Sequence, residues 1–138
     1  MKLIPILVFL AFFSAKAFAE NEVIFITNSN VAEAFFTKRQ IMDIFLGAKR
    51  EWSDNTKIKF VVLNDEVVHP EFTKKYLSKS SKQFQAYWKK MVFTGKGSPP
   101  KKFEDIEKLV EYVANTKGAV GYISKSTPID NVKIIDVE

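Results

Sequence analysis

The chain contains no cysteine among its 138 residues. Even an oxidising compartment therefore offers this fold no disulfide bond, and both thiolate metal sites and cysteine nucleophiles are excluded. The stability of the folded chain must come from packing.

The sequence also lacks the local signatures of common enzymes. It contains no Gly-x-Ser-x-Gly nucleophile motif, no His-Glu-x-x-His helix pair and no Walker phosphate loop. The only histidine is His69, and Pro70 beside it favours a loop or a helix entry over a catalytic position. The pair Gly95 and Gly97 is too short to cradle a phosphate and predicts a turn. We therefore expect a protein that is not an enzyme, with no catalytic residues, no metal site and no cofactor.

Positive charge is in small excess. The full sequence has 21 Lys and Arg against 16 Asp and Glu, and removing Lys2 and Lys16 with the N-terminal segment described next leaves 19 against 16. An excess of three positive charges favours anionic partners only weakly, and without an Arg-rich cluster or a recognised motif we expect no nucleic-acid partner.

Residues 1–19 resemble a secretory signal peptide. Lys2 supplies the positive start, Leu3–Phe13 the apolar run, and a small-x-small sequence ends at Ala19. A membrane anchor is the weaker alternative, because a span needs about 20 apolar residues and Lys16 interrupts this stretch. We predict cleavage after Ala19 and one domain over residues 20–138, a length in the usual range of single domains.

Strand-like runs alternate with amphipathic segments along the rest of the chain. The predicted strands are Glu22–Thr27, Lys57–Leu63, Ala119–Ile123 and Val132–Val137. The predicted helices begin at a Thr37/Gln40 capping box, near Pro70, at a Ser80/Gln83 capping box, and at Phe103. Gly47 and Gly118 are expected to end the first and last of them. This order predicts an α/β fold, a central sheet flanked by helices.

Two segments between and within these elements need separate interpretation. Phe84, Tyr87, Trp88 and Met91 share one helix face and are predicted to be core. Thr94–Lys102 is expected to be irregular, because two glycines and two prolines punctuate it. The lysines around that loop either line a basic rim that faces a partner or solvate a helix end: Lys89, Lys90, Lys96, Lys101 and Lys102.

Candidate ligand contacts follow from the sheet. In open α/β sheets, ligands lie outside the carboxyl ends of strands, where helix N-termini with free amides favour anions. The stronger candidate loop follows the first strand and consists of Thr27, Asn28, Ser29 and Asn30. The weaker candidate follows the second strand and consists of Asn64 and Asp65.

Several motifs in a fixed order resemble those of phosphate ABC transporter substrate-binding proteins, especially short, single-lobe relatives. A helix ends in an Ile-Phe-x-Gly sequence, and a basic stretch, a tryptophan with an acidic residue and a valine-rich strand follow. The residues are Ile44, Phe45, Gly47, Lys49, Arg50, Trp52, Asp54, Ile58, Val61 and Val62. A second group comprises Tyr87, Trp88, Phe93, Thr94, Gly95, Gly97, Pro99 and Pro100, and Gly118–Tyr122 forms a later glycine-hinged strand.

The resemblance covers nearly the whole chain after residue 19 and implies a single type II periplasmic-binding-protein lobe. It also implies a periplasmic, non-catalytic protein that binds phosphate or a related oxyanion for an ABC transport system, with a membrane transporter as partner. Phosphate-binding relatives carry a sequence similar to Arg-Ser-Asp-Gly-Ser-Gly-Thr where this chain has Leu63–His69. The alternative is therefore an envelope protein-protein interaction module that has lost ligand binding.

Overall fold

The computed structural model describes residues 22–138, so the predicted signal peptide lies outside the described residues. The strands are β1 (Val23–Thr27), β2 (Phe35–Phe36), β3 (Lys59–Leu63), β4 (Lys101–Phe103), β5 (Ala119–Ser124) and β6 (Lys133–Val137). The helices are α1 (Lys38–Phe45), α2 (Val68–Leu77), α3 (Ser81–Phe93) and α4 (Ile106–Asn115). None of these helices has both the length and the apolar character needed to cross a bilayer.

The six strands form one mixed sheet in the order β2-β6-β1-β5-β3-β4. The predicted α/β class, a mixed sheet flanked by helices, is confirmed. β3 runs parallel to β4 and β5, whereas β1 runs antiparallel to both of its neighbours, β5 and β6. The carboxyl ends of β1 and β3 therefore lie at opposite ends of the sheet.

We name these two ends by what lies there. The α2 end holds the carboxyl ends of β3 and β4, where the chain enters α2 and α4. The Gly118 end holds the carboxyl end of β1 and the beginning of β5, since Thr27 pairs with Val120.

The helices cover both faces of the sheet, and β5 shows how residues alternate between them. A Cβ atom at Gly121 would lie 3.1 Å from Leu109 of α4, so α4 packs closely on that face. The next side chain, Tyr122, points to the other face and stacks on Phe72 of α2 with ring centroids 3.8 Å apart. Phe25 and Phe45 complete an aromatic cluster around Phe72. The core is thus aromatic on the α2 face and aliphatic under α4.

Local capping chemistry sets the helix boundaries. Both predicted capping boxes are confirmed: Thr37 and Gln40 exchange hydrogen bonds at the start of α1, and Ser80 and Gln83 do so at α3. Gly47 follows the end of α1 with φ of 79°, and its amide donates to Ile44 while the Ala48 amide donates to Asp43. These two bonds form a Schellman motif, so the predicted glycine cap is also confirmed.

Two short strands depart from the sequence prediction. Lys101–Phe103 forms β4 against β3, so the end of the segment predicted to be irregular is a strand. The prediction that the last helix begins at Phe103 was therefore wrong. Asp105 caps the helix instead, accepting the Glu107 amide at 2.9 Å. The two-residue strand β2 was not predicted, because so short a run has no detectable periodicity.

Candidate functional site

A groove of about 660 Å³ opens at the α2 end of the sheet. One wall is α3, and the opposite wall is the segment Pro99–Lys102. His69 from the first turn of α2 and Asn64 from the β3–α2 loop also line it. Its volume lies in the range of small-molecule ligand sites. This groove is the candidate functional site.

The floor of the groove is aromatic. Phe84 and Trp88 are buried, which confirms the predicted core role of this face of α3, yet both also line the groove. The Trp88 indole donates a hydrogen bond to the Phe45 carbonyl at 3.1 Å. A Cβ atom at Gly47 or Gly97 would approach the Trp88 ring within 2.9 or 3.0 Å. The lack of a side chain at both glycines therefore leaves the space that the Trp88 ring occupies.

The rim of the groove combines exposed apolar side chains with positive charge. Phe93 is 93% exposed and Val92 is 41% exposed at the end of α3. Among the described residues, three lysines line the groove, namely Lys82, Lys89 and Lys102, and no aspartate or glutamate does. The site is therefore apolar at its base and electropositive at its mouth.

The predicted lysine rim is only partly at the groove. Of its five lysines, Lys89 and Lys102 line the groove, whereas Lys101 turns away and places its Nζ 4.6 Å from the centre of the Tyr112 ring. Lys90 and Lys96 are exposed outside the lining. Alternation along β4 explains the division between Lys101 and Lys102, because successive strand residues point to opposite sides.

His69 lies at the second position of α2, which fits its predicted place at a helix entry. Its Nδ1 is 2.5 Å from the Tyr122 hydroxyl, which also accepts the Leu63 amide at 3.2 Å. Burial lowers the pKa of His69; the negative charge of Asp65 opposes this shift, and the positive charge of Lys102 adds to it. Burial raises the pKa of Tyr122 beyond its ordinary range. Both groups are therefore neutral at neutral pH. Their contact is a hydrogen bond between uncharged side chains, and it fixes the positions of the two rings.

Asp65 occupies the N-terminus of α2. Its Oδ1 accepts hydrogen bonds from the backbone amides of Val67, Val68 and His69 at 3.0, 2.6 and 3.2 Å. These amides are the free donors that make a helix N-terminus favourable for anions. Within residues 22–138, the hydrogen bond of the His69 ring is to Tyr122 and not to this carboxylate. Asn64 is exposed beside it and lines the groove.

The other predicted loop, Thr27–Asn30, lies at the Gly118 end. Thr27 is completely buried, and its hydroxyl has no hydrogen-bond partner in the part of the chain that the structure describes. The Asn28 side chain donates to the carbonyls of the last turn of α4 at 2.9 and 3.0 Å and accepts the Asn30 amide. The Asn30 side chain in turn accepts the Gly118 amide at 3.1 Å. Only Ser29 has an exposed side chain.

The structure does not bring the two predicted loops together. Thr27 pairs with Val120, and Phe60 at the start of β3 pairs with the same residue from the other side. Asn64 and Asp65 follow the far end of β3, so the sheet separates them from Thr27–Asn30. One small ion cannot contact both loops.

Sequence reasoning missed the groove as a site, although it singled out several of its residues. The helical spacing of Phe84 and Trp88 predicts a core role alone, and no local pattern in the sequence pairs Tyr122 with His69. A tyrosine inside an otherwise apolar strand was the available signal, since a buried hydroxyl requires a hydrogen-bond partner. Within residues 22–138, no group of three or more His, Cys, Asp or Glu side chains is arranged to hold a metal ion.

Comparisons with known proteins agree with this architecture. A family model described as a PBP superfamily domain matches residues 12–136. No curated protein matches the chain. The PstS structure from Borrelia burgdorferi is similar with a TM-score of 0.66 and 16% identity, over 83% of this chain and 46% of that one.

Two further solved structures are similar. A Clostridium perfringens protein of the phosphate ABC transporter substrate-binding type, solved with bound phosphate, gives a TM-score of 0.64 and 19% identity over 83% of this chain and 44% of that one. An ABC-type phosphate transport receptor from Vibrio cholerae gives a TM-score of 0.57 and 16% identity, over 83% of this chain and 45% of that one. This chain thus spans less than half the length of each. At these identities the likeness concerns the fold, and the predicted resemblance is confirmed at that level.

Proposed function

This chain belongs to the PBP superfamily domain family, and on that premise we propose that it is a non-catalytic, exported binding protein that takes an oxyanion at the α2 end of its sheet. Phosphate is the first candidate, because the Clostridium perfringens neighbour was solved with bound phosphate. The periplasmic location and a role beside an ABC transporter are parts of the same proposal. The predicted signal peptide and the transport proteins among the structural neighbours support them.

The observation that carries the proposal is the convergence of three backbone amides at the start of α2, those of Val67, Val68 and His69, on one carboxylate oxygen of Asp65. Their geometry is that of an anion site at a helix N-terminus, with a side chain of the chain itself as the anion. The lysines that line the adjacent groove add positive charge. An oxyanion from solution would displace or join the Asp65 carboxylate there.

The expected affinity is low. A helix N-terminus contributes up to about 2 kcal/mol for a partly buried anion, and each exposed lysine contributes roughly 0.2 to 1 kcal/mol. Together these contributions reach about 3 to 5 kcal/mol, which corresponds to a dissociation constant near 1 mM. Tighter binding would require donors from a second protein or a second protomer.

The Thr27–Asn30 loop remains the other candidate for the contact. There, Thr27 and the side chains of Asn28 and Asn30 are engaged in the fold, which leaves the exposed Ser29 and the loop backbone. The proposal favours the α2 end for this reason. Amide chemical shifts separate the two loops directly, since each loop has its own resonances.

The test is a phosphate titration followed by amide chemical shifts, with sulfate and chloride as competing anions. We expect shifts concentrated at residues 64–69. Asp65→Asn should tighten phosphate binding by about fivefold, because it removes a negative charge within a few ångströms of the ion while keeping an oxygen to cap α2. Glu66→Gln is the matched control. It removes the same charge from the neighbouring residue, whose side chain is exposed.

Three results would count against the oxyanion proposal. These are shifts confined to residues 28–30, no shift at phosphate concentrations well above 1 mM, and equal effects of Asp65→Asn and Glu66→Gln. The first result moves the site to the opposite end of the sheet. The second would mean that phosphate is not a ligand of this protein.

The second candidate function is an envelope protein-protein interaction module that has lost ligand binding. The position of Asp65 favours this second function, because its carboxylate already accepts hydrogen bonds from the amides that a ligand would use. Capture of a partner from envelope extracts by the wild-type protein, and loss of that partner on charge reversal of Lys101 and Lys102, would support it. Phosphate binding without any captured partner would contradict it.

A further inference from the structure

We propose that the groove between α3 and Pro99–Lys102 is a docking site for an acidic peptide segment that carries one large apolar side chain. The inference goes beyond oxyanion binding. It shares the lysines of the groove with that proposal, but it is argued from the apolar body and rim of the groove and uses none of the amides that Asp65 accepts. The partner is a segment of another protein, recognised by its charge and its apolar anchor.

The apolar anchor follows from the shape and lining of the groove. Its floor is formed by Phe84 and Trp88, and Pro99 and Pro100 form the opposite wall. Trp88 is 6% exposed and its ring is fixed by its hydrogen bond to the Phe45 carbonyl, so the base of the groove is rigid. Rigid aromatic pockets are typical of the centres of protein interfaces. An inorganic oxyanion would leave this surface uncovered.

The extended rim distinguishes a peptide from a small molecule. Phe93 is almost fully exposed at the end of α3, next to Val92, and both line the groove at its mouth. Adjacent exposed apolar side chains of this kind mark protein interaction surfaces. A ligand that fills only the base of the groove would not cover Phe93.

The acidic character follows from charge complementarity. Lys82, Lys89 and Lys102 line the groove, and no carboxylate from residues 22–138 lines it. The chain itself has an excess of positive charge, which disfavours a second copy as the occupant. Carboxylates on the partner would therefore be steered to this rim and held near the lysines.

Side chains, rather than strand addition, must supply the contacts. β4 is the terminal strand of the sheet on this side, but it has only three residues and follows two prolines. Prolines have no amide hydrogen to donate to an added strand, and they protect sheet edges from such pairing. The partner segment therefore inserts its apolar side chain between α3 and the prolines.

The experiment uses the purified protein and three synthetic peptides, with binding measured by amide chemical shifts and fluorescence anisotropy. The first peptide has a central tryptophan between pairs of glutamates, the second has lysines in place of the glutamates, and the third has alanine in place of the tryptophan. We expect only the first to bind, with shifts along α3 and β4. Added salt should weaken binding, because exposed charges are screened.

Matched variants locate the contact. Lys102→Glu should weaken the first peptide by about fivefold or more, whereas Lys101→Glu should leave its affinity nearly unchanged, because Lys101 faces the Tyr112 ring and not the groove. The two variants change the net charge equally and lie next to each other in β4. Phe93→Ala should also weaken binding, and because Phe93 is 93% exposed, we expect this variant to keep the stability of the wild-type protein.

Several outcomes would overturn the inference. Equal binding of the acidic and basic peptides would show that the groove does not select for negative charge. Equal effects of Lys101→Glu and Lys102→Glu would show that the peptide does not bind in the groove. Phosphate alone reproducing the full shift pattern at α3 and β4 would assign the groove to a small anion. A concentration-dependent dimer with the same shifts would assign it to a second copy of the chain.

Discussion

Replacing Gly118 by alanine tests how the Gly118 end of the sheet is held together. Gly118 has φ of 79°, and an added Cβ atom would lie closer than 3.0 Å to the backbone carbonyl oxygen of Lys57. Its carbonyl accepts the Trp52 indole at 3.0 Å and the Lys59 amide at 3.0 Å, while its amide donates to Asn30. The backbone at this position therefore cannot move without breaking several contacts.

The expected cost combines two contributions. An alanine in the left-handed region costs about 1 kcal/mol relative to glycine. Relief of the clash requires the Gly118 or Lys57 backbone to shift, which weakens two or three of the hydrogen bonds at roughly 1 kcal/mol each. We expect Gly118→Ala to lower the free energy of unfolding by about 3 to 4 kcal/mol, a large share of the roughly 5 to 15 kcal/mol of a typical domain.

Gly95→Ala is the matched control. Gly95 has a similar φ of 69°, but an added Cβ atom would meet nothing within 4 Å, so we expect a loss of only about 1 kcal/mol. The measurement is urea unfolding followed by circular dichroism, with the denaturant slope checked for two-state behaviour. If both variants lose the same stability, the close approach of Gly118 to Lys57 has no energetic role and the reasoning fails.

Three further predictions concern buried polar groups. Thr27→Val should raise the free energy of unfolding by about 1 kcal/mol, because the buried Thr27 hydroxyl has no hydrogen-bond partner; thermal melting measures the gain. Asn28→Ala should lower it by about 2 to 3 kcal/mol, because the side chain holds two α4 carbonyls and one amide, and Ser29→Ala should change it little. His69→Asn should reduce the loss of stability between about pH 7.5 and 5.5, since the unfolded chain binds a proton near the ordinary pKa of 6.5 and the folded chain only at lower pH.

Each of these predictions has a result that would contradict it. A destabilised Thr27→Val variant would mean that the hydroxyl has a partner, and weaker phosphate binding in that variant would favour the Thr27–Asn30 loop as the ligand site. Equal melting temperatures for Asn28→Ala and Ser29→Ala would remove the structural role of Asn28. An unchanged acid response in His69→Asn would show that the imidazole is as easily protonated in the folded chain as in the unfolded one.

Local chemistry was predictable from the sequence where a few neighbouring residues determine it. The Thr37/Gln40 and Ser80/Gln83 boxes and the glycine at position 47 depend on contacts within one turn, so spacing alone identified them. The alternation of strands and helices likewise identified the α/β class. These features need no knowledge of how distant segments pack.

The candidate site depended on long-range relations that spacing does not contain. The direction of β1 is set by its antiparallel pairing with β5, nearly 100 residues later, and that direction separates Thr27 from Asn64. The groove arises where α3 meets Pro99–Lys102, and neither segment alone indicates a cavity. The sequence predicts Asp65 as a possible ligand contact, but its contact with three amides at the start of α2 depends on the folded positions of those amides.

The central place of β1 has a consequence for how the chain acquires its structure. Its two strand neighbours within the described residues are β5 and β6, which come much later in the sequence. As the chain is synthesised from its N-terminus, β1 stays unpaired until β5 has been made. Closing so long a loop is expected to make folding slower than in proteins whose contacts are local.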